Sequence, residues 1–248
     1  MRRMLAAAIL LSGAAEAGAW PQAKAHGLSI SSVGIARAPD RTQRLLFEGY
    51  GEAGLGSDLT AVFTFEGEMT RGAAIYSWRA GGGLRWSFTL EDSDPWRFSI
   101  EARASWQDYG SALADPVFAG DGLGALLQAD AGRSFKIEGL NAFANLSAGW
   151  AVRGGTADEW RLAAVAGLDL DDDWQLGVGY FATYAPGDLY DPGVYEKHEA
   201  QLSVRWRIDA DYALALSLAQ TLAGDRVPEE TTLRLALWTF LYPEPDDD

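Results

Sequence analysis

His198 stands two residues after Glu196, a spacing that puts an imidazole and a carboxylate on the same side of an extended strand. Such a pair is part of a nucleophile-activating relay, in which the carboxylate orients the ring and the ring takes a proton from a hydroxyl. Lipid hydrolases built on barrels place a serine two positions from the histidine, and Glu196 occupies that position here. The neighbouring positions of matching parity are Tyr180, Tyr184 and Gln220, so the pair reads as a headgroup contact before it reads as a catalyst. His26 has no comparable neighbour.

Two other runs imitate chemistry. Gly177-Val178-Gly179-Tyr180-Phe181-Ala182 matches a dinucleotide fingerprint in its glycines, yet no helix follows whose N-terminus could receive a pyrophosphate. Asp169 to Asp173 has the composition of a calcium loop but lacks the spaced glycine and the closing glutamate, and a solvated turn is the expectation. With no cysteine in the chain, thiolate zinc sites, disulfides and a lipidated N-terminal cysteine are excluded. The sequence calls for no catalytic residue, no cofactor and no metal.

The larger stock of ionisable groups alternates with small or polar residues along extended runs. Arg79, Arg85, Arg97, Arg103, Arg161, Arg205, Arg207 and Arg234 share one parity with Glu52, Glu66, Glu101 and Glu199. Arg44, Arg153, Lys197, Glu48, Glu68, Glu91, Asp130 and Asp169 fall on the same side. Basic and acidic members are close to balance, so the formal net charge of -15 belongs mostly to turns, loops and the Glu244 to Asp248 tail. That charge opposes phosphate-backbone binding, and no nucleic-acid partner is expected.

The elements that must position these groups follow from the other parity. From Ala74 to Leu90 the even positions are Ala, Tyr, Trp, Ala, Gly, Leu, Trp, Phe and Leu. The pattern continues through Trp96 to Trp106, Leu123 to Ala131, Ala142 to Val152, Trp160 to Leu170 and Trp174 to Tyr184. None of these apolar-parity positions is charged, in a chain that is 22% charged overall. Period two held this long exceeds an ordinary soluble strand, and the exclusion fits a lipid-facing side, where an arginine or lysine at mid-bilayer costs about 2–4 kcal/mol. Less regular runs at Leu28 to Arg37, Gln43 to Leu55, Leu59 to Met69, Val194 to Ile208, Tyr212 to Leu222 and Thr232 to Tyr242 complete a set of about twelve strands.

The predicted fold is therefore all-β: a transmembrane antiparallel up-and-down β-barrel with short periplasmic turns and longer extracellular loops. Turns at Gly56 to Asp58, Asp92 to Pro95, Asp171 to Asp173 and Asp209 to Asp211 alternate with longer connections at Asp108 to Gly122, Ala185 to Gly193 and Ala223 to Glu230. Both termini then lie in the periplasm. Trp96, Trp174 and Tyr212 follow short turns, and with Trp160 they are the candidates for headgroup-level aromatic girdles. Trp238 breaks parity with Leu233, Leu235, Leu237 and Leu241, which predicts a bulge or an inward ring. A soluble sandwich or lipocalin-like barrel is the alternative, because parity alone does not say which face points outward.

Arg2, Arg3, the apolar run Met4 to Leu11 and Ala15-Glu16-Ala17 read as a secretory signal peptide over residues 1–17, with a second cleavage option after Ala19. Residues 18–248 form the single barrel domain. After that leader no apolar stretch is long enough to cross a bilayer as a helix.

The start Gly18-Ala19-Trp20-Pro21 and the run Tyr50 to Thr60, YGEAGLGSDLT, resemble a large group of proteobacterial outer-membrane barrels associated with the phenol-degradation meta-pathway or with exopolysaccharide loci. That group reads Y-x-E-Y-G-L-T-D-x-L-T; Ala53 and Ser57 are among the positions that depart from it. The resemblance covers about fifteen residues and implies barrel architecture with passage of a small hydrophobic or sugar-like solute. It transfers no binding residue, because the matched positions form a turn.

The expected function is a passive, porin-like outer-membrane channel for small polar or amphipathic solutes. Its partners would be the bilayer, lipopolysaccharide and the solute. A non-conducting barrel serving envelope assembly or polysaccharide-export machinery is the alternative, and a lipid hydrolase is the third. Small inward residues at Ser147, Gly149, Ala163, Gly167, Gly177, Gly179 and Ala213 to Ala219 predict one smooth wall opposite the arginines.

Overall fold

The computed structural model describes residues 22–70, 76–90, 95–109, 122–153, 157–187 and 194–242. The signal-peptide reading, residues 110–121 of the longer connection from Asp108 to Gly122, and the acidic tail lie outside these residues.

Twelve antiparallel strands close into one barrel. They are β1 (Gly27–Arg37), β2 (Gln43–Gly56), β3 (Leu59–Thr70), β4 (Tyr76–Phe88), β5 (Trp96–Tyr109), β6 (Gly122–Ile137), β7 (Leu140–Val152), β8 (Glu159–Asp169), β9 (Trp174–Ala185), β10 (Tyr195–Arg207), β11 (Tyr212–Asp225) and β12 (Thr231–Leu241). Each pairs with its chain neighbour, and β1 pairs with β12 from Gly27 opposite Leu241 to Arg37 opposite Thr231. All are long enough to cross a hydrocarbon layer at a tilt. Closure leaves no strand edge unpaired, the condition for a sheet immersed in lipid.

Parity separates inside from outside. Val33, Phe63, Leu84, Ile100, Leu127, Leu146, Leu162, Val178, Leu202, Leu218 and Leu235 are exposed on the outer wall, whereas Arg85, Glu101, Asp130 and Arg234 are buried inside. Of the described tryptophans, Trp238 alone is buried, at 2% exposure, and Trp86, Trp106, Trp150, Trp160, Trp174 and Trp206 are exposed. This is the reverse of a soluble barrel, which gathers its large rings in the core. No bulge interrupts the register of β12, so the parity break at Trp238 is an inward ring.

The two barrel ends are built differently. At the end that carries the termini the turns are tight. Ser57 and Asp58 both have positive φ, as do Glu138 and Gly139, the signature of two-residue hairpins whose twist matches the strands. Asp171 Oδ1 accepts the backbone N–H groups of Asp173 and Trp174, and Asp209 Oδ1 those of Asp211 and Tyr212. The Asp169 to Asp173 run is thus a self-bonded turn, and no group of metal-ligating side chains occurs among the described residues. β6 runs to Ile137, six residues past the end of its apolar alternation at Ala131.

Rings mark both ends of the outer wall. Trp174 stacks on Trp206 with centroids 6.0 Å apart, and Arg133 lies over Trp96. Tyr212 is exposed at that same terminus-side end. Trp160 sits at the opposite end beside Trp150, 6.4 Å away.

Candidate functional site

Among the described residues, the bore is where ionisable groups are gathered out of solvent. Its centre is Arg85 on β4, fully buried. Arg85 Nη2 lies 2.8 Å from Glu52 Oε1 on β2, and its Nε donates to Glu101 Oε2 on β5 at 3.0 Å. Arg85 also donates to the Tyr50 hydroxyl, which donates in turn to Glu52. Arg103 Nε lies 2.6 Å from the other oxygen of Glu101. Burying such charges costs several kcal/mol per ion, which only this density of partners offsets.

The network extends around the β2–β6 wall. Arg44 bridges Glu68 and Glu230, donating from Nε to Glu230 Oε1 at 2.9 Å. Asp130 accepts Ser99 Oγ at 3.0 Å, Ser147 Oγ at 2.6 Å and Gln128 Nε2 at 3.0 Å. Arg234 pairs with Glu48, and Lys197 with Glu199 at 2.9 Å.

Away from the termini, Glu159 at the start of β8 is clasped by Arg161 and Arg153 and accepts the Tyr195 hydroxyl at 2.7 Å. Arg79 Nη2 lies 3.0 Å from Glu66. Between these groups is a cavity of about 30 Å³ lined by Thr64, Glu66, Arg79, Arg103, Ser105, Gln107, Gly124, Leu126, Ala151, Arg153 and Arg161, among others.

At the terminus end the bore turns apolar. Leu28, Ile30, Tyr50, Val62, Ala213 and Trp238 form a buried cluster, with Ala215, Ala236 and Phe240 packed against it. Arg205 lies over the Trp238 ring at 5.0 Å and Arg207 over Phe240 at 5.8 Å. The segment before β1 folds onto this end: Gln22 Nε2 donates to Glu52 Oε2 at 2.6 Å, and Ala25 N donates to Gly54 O at 3.1 Å.

All twelve charged residues selected for the lumen are buried or half-buried. The structure joins Glu52, Arg85, Glu101 and Arg103 in one cluster, sets Arg79, Glu66 and Arg161 around the cavity, and leaves Arg205 and Arg207 at the aromatic end. Arg97 is half-buried on β5. Sequence reasoning missed Glu159, Glu230, Tyr50 and Tyr195. Glu159 was findable, since it precedes Trp160 and must take the opposite face. The expected smooth wall is rougher than its glycines suggest, because neighbouring side chains fill their notches: Phe143 lies over Gly167 and Leu126 over Gly149.

On the outer wall, His198 Nδ1 lies 2.6 Å from the Tyr180 hydroxyl and Nε2 lies 2.7 Å from Glu196 Oε1. Both ring nitrogens are engaged by a phenol and a carboxylate.

A solved porin, NanC, is 10% identical to the chain and superposes with a TM-score of 0.57, covering 86% of this chain and all of that one. The chain has the fold of outer-membrane barrels. An outer-membrane channel from Pseudomonas putida F1 is 14% identical, with a TM-score of 0.53 over 90% of this chain and 97% of that one. The β domain of the Bordetella autotransporter BrkA is 12% identical, with a TM-score of 0.51 over 87% and 99%. No family model and no curated protein sequence matches. Because pores and a secretion domain share this architecture, function must be argued from the bore.

Proposed function

We propose that the protein is a passive outer-membrane channel for small polar or amphipathic solutes, with its termini in the periplasm and its longer loops outside. The observation that carries this reading is the asymmetry of the bore. The wall from β2 to β5 is the denser in arginines and carboxylates, and the wall from β7 to β11 sets the small residues Ser147, Ala163, Gly177, Gly179, Ser203 and Ser217 among fewer charges, including Glu159 and Arg161 on β8 and Lys197, Glu199, Arg205 and Arg207 on β10. A barrel that only needed filling could use apolar side chains. Charged groups opposite small ones leave a hydrated margin along which a polar solute exchanges hydrogen bonds. The termini follow from the tight turns, which in such barrels lie on the periplasmic side.

A second reading has its own observation. The apolar cluster around Trp238 and the segment at 22–26 gather at the terminus-side mouth, an arrangement that suits a non-conducting barrel acting through its loops in envelope assembly or polysaccharide export. Single-channel recording of the purified, folded protein in planar bilayers separates the two. The channel reading expects discrete conductance steps, and a silent bilayer containing folded protein overturns it.

A further inference from the structure

We propose that Tyr180, His198 and Glu196 form a hydrolytic site on the outer wall, which cleaves a fatty-acid ester of an outer-leaflet lipid with the Tyr180 phenol as nucleophile. The inference goes beyond the channel reading, because the site faces lipid and shares no residue with the bore.

Glu196 and His198 lie two apart on β10, and Tyr180 reaches them from β9. A carboxylate only accepts, so the Nε2 that meets Glu196 Oε1 at 2.7 Å carries the ring hydrogen. In the neutral ring that leaves Nδ1 as the acceptor, and the Tyr180 hydroxyl, 2.6 Å away, donates to it. Carboxylate, imidazole and hydroxyl thus stand in the order of a relay that activates a nucleophile. The Tyr180 and His198 rings also pack with centroids 6.0 Å apart, which steadies the imidazole. A β-bulge falls beside His198, where the register with β11 steps from Ala223 to Thr221, the kind of irregularity that re-aims a side chain.

Depth selects the substrate. Glu196 is level with Tyr184 and Trp160, the exposed rings at the loop-side rim, where aromatic side chains sit among headgroups. His198 stands one outward position deeper, opposite Ala182, and Tyr180 approaches from deeper still, opposite Ala200. The phenol oxygen therefore lies just under the headgroups, at the level where fatty chains are joined to them through esters. Tyr180 is exposed on this wall, so an ester carbonyl in the bilayer meets it without entering the barrel.

In the first half-reaction Tyr180 Oη bonds to the carbonyl carbon and its proton passes to His198 Nδ1. The bond from that carbon to the alkoxyl oxygen breaks, the alkoxide leaves with the proton, and the acyl group stays on Tyr180. A water molecule then gives a proton to Nδ1 and its oxygen to the acyl carbon. The phenolate departs, takes the proton back and releases the fatty acid. Glu196 acts as a positioning residue, holding the ring in the tautomer that can accept from the phenol.

The test uses the full folded chain in micelles of an ether detergent, which itself carries no ester. Benzenesulfonyl fluoride, which caps activated hydroxyls with loss of fluoride, should label Tyr180 in preference to Tyr184, although Tyr184 is the more exposed of the two, at 52% against 43%. His198→Gln should slow that labelling about a hundredfold, and Glu196→Gln should slow it as well by leaving the ring unoriented. Mixed in separate arms with dioleoylphosphatidylglycerol or with lipopolysaccharide, the protein should release free fatty acid from at least one, and the arm that responds identifies the lipid. Tyr180→Phe and His198→Gln should each suppress the release about a hundredfold while the barrel stays folded by heat-modifiable electrophoretic mobility. Equal labelling of the two tyrosines, labelling indifferent to His198→Gln, undiminished release in Tyr180→Phe, or no release from either lipid would overturn the site.

Discussion

Phe143 on β7 and Gly167 on β8 are direct partners in the ladder, and the Phe143 ring occupies the space a side chain at 167 would need: a Cβ there would come within 2.2 Å of Phe143 Cε1. Gly167→Ala should cost about 1–3 kcal/mol by overpacking, measured by urea unfolding in lipid vesicles. Phe143→Ala in the same chain should recover much of that loss, so a double-mutant cycle will show strong coupling.

Arg85 is held by two carboxylates and a phenol and has no contact with solvent. Arg85→Ala takes the paired guanidinium from buried Glu52, leaves Glu101 to Arg103, and should cost about 3–5 kcal/mol. Arg85→Met combined with Glu52→Gln should be far milder, because Glu52 no longer carries a charge and Glu101 keeps Arg103. Unfolding midpoints followed by tryptophan fluorescence would show the order, and a milder single variant would contradict the network.

Lipid contact makes the outer wall depth-sensitive. Val178, exposed in the middle of β9, should lose about 2–4 kcal/mol as Val178→Arg, while Trp174→Arg at the girdle should lose only about 0–1 kcal/mol. Equal losses at the two depths would argue against a bilayer around this face.

At Gly54 the chain before β1 presses onto the wall so closely that a Cβ would sit 2.0 Å from the Ala23 carbonyl oxygen. Gly54→Ala should expel residues 22–26 and leave the barrel folded. Hydrogen exchange should then show lost protection at Ala25 and His26, whose N–H groups bond Gly54 and Ala23, with little change in the strands.

The sequence announced the strands because hydrocarbon removes charge from one parity and leaves a period that any reader can count. β4, β5 and β9 were therefore legible to within three residues at either end. β6 is longer than its apolar run because Arg133 puts a charge on the outer parity, which Phe135 and Ile137 then resume, while residues 134–136 pair with Asn141 to Phe143. Trp238 was visible as a conflict of parity, but only the unbroken register of β12 distinguishes an inward ring from a bulge. Inward direction was legible for the arginines, whereas their partners were not. Arg44 and Glu230 meet across 186 residues of chain, and Arg85 reaches past β3 to Glu52. Such pairings depend on shear and closure, which leave no mark on local spacing. The bulges at Gly54 to Gly56 and at His198 to Glu199 escaped for the same reason.

The buried apolar cluster draws Leu28 and Ile30 from the first strand and Trp238 from the last, with Tyr50 and Ala213 from the strands beside them and Val62 from β3. It therefore straddles the seam where the two ends of the chain zip together. Pairing across that seam cannot begin until the last strand has been made, so the most costly loop in the molecule is closed last. The latch that rewards it consists of the bulkiest side chains turned toward the axis at that rim. A chain truncated before β12 would keep eleven strands in register and still expose two raw edges to lipid, which makes the final strand the commitment step for the whole assembly.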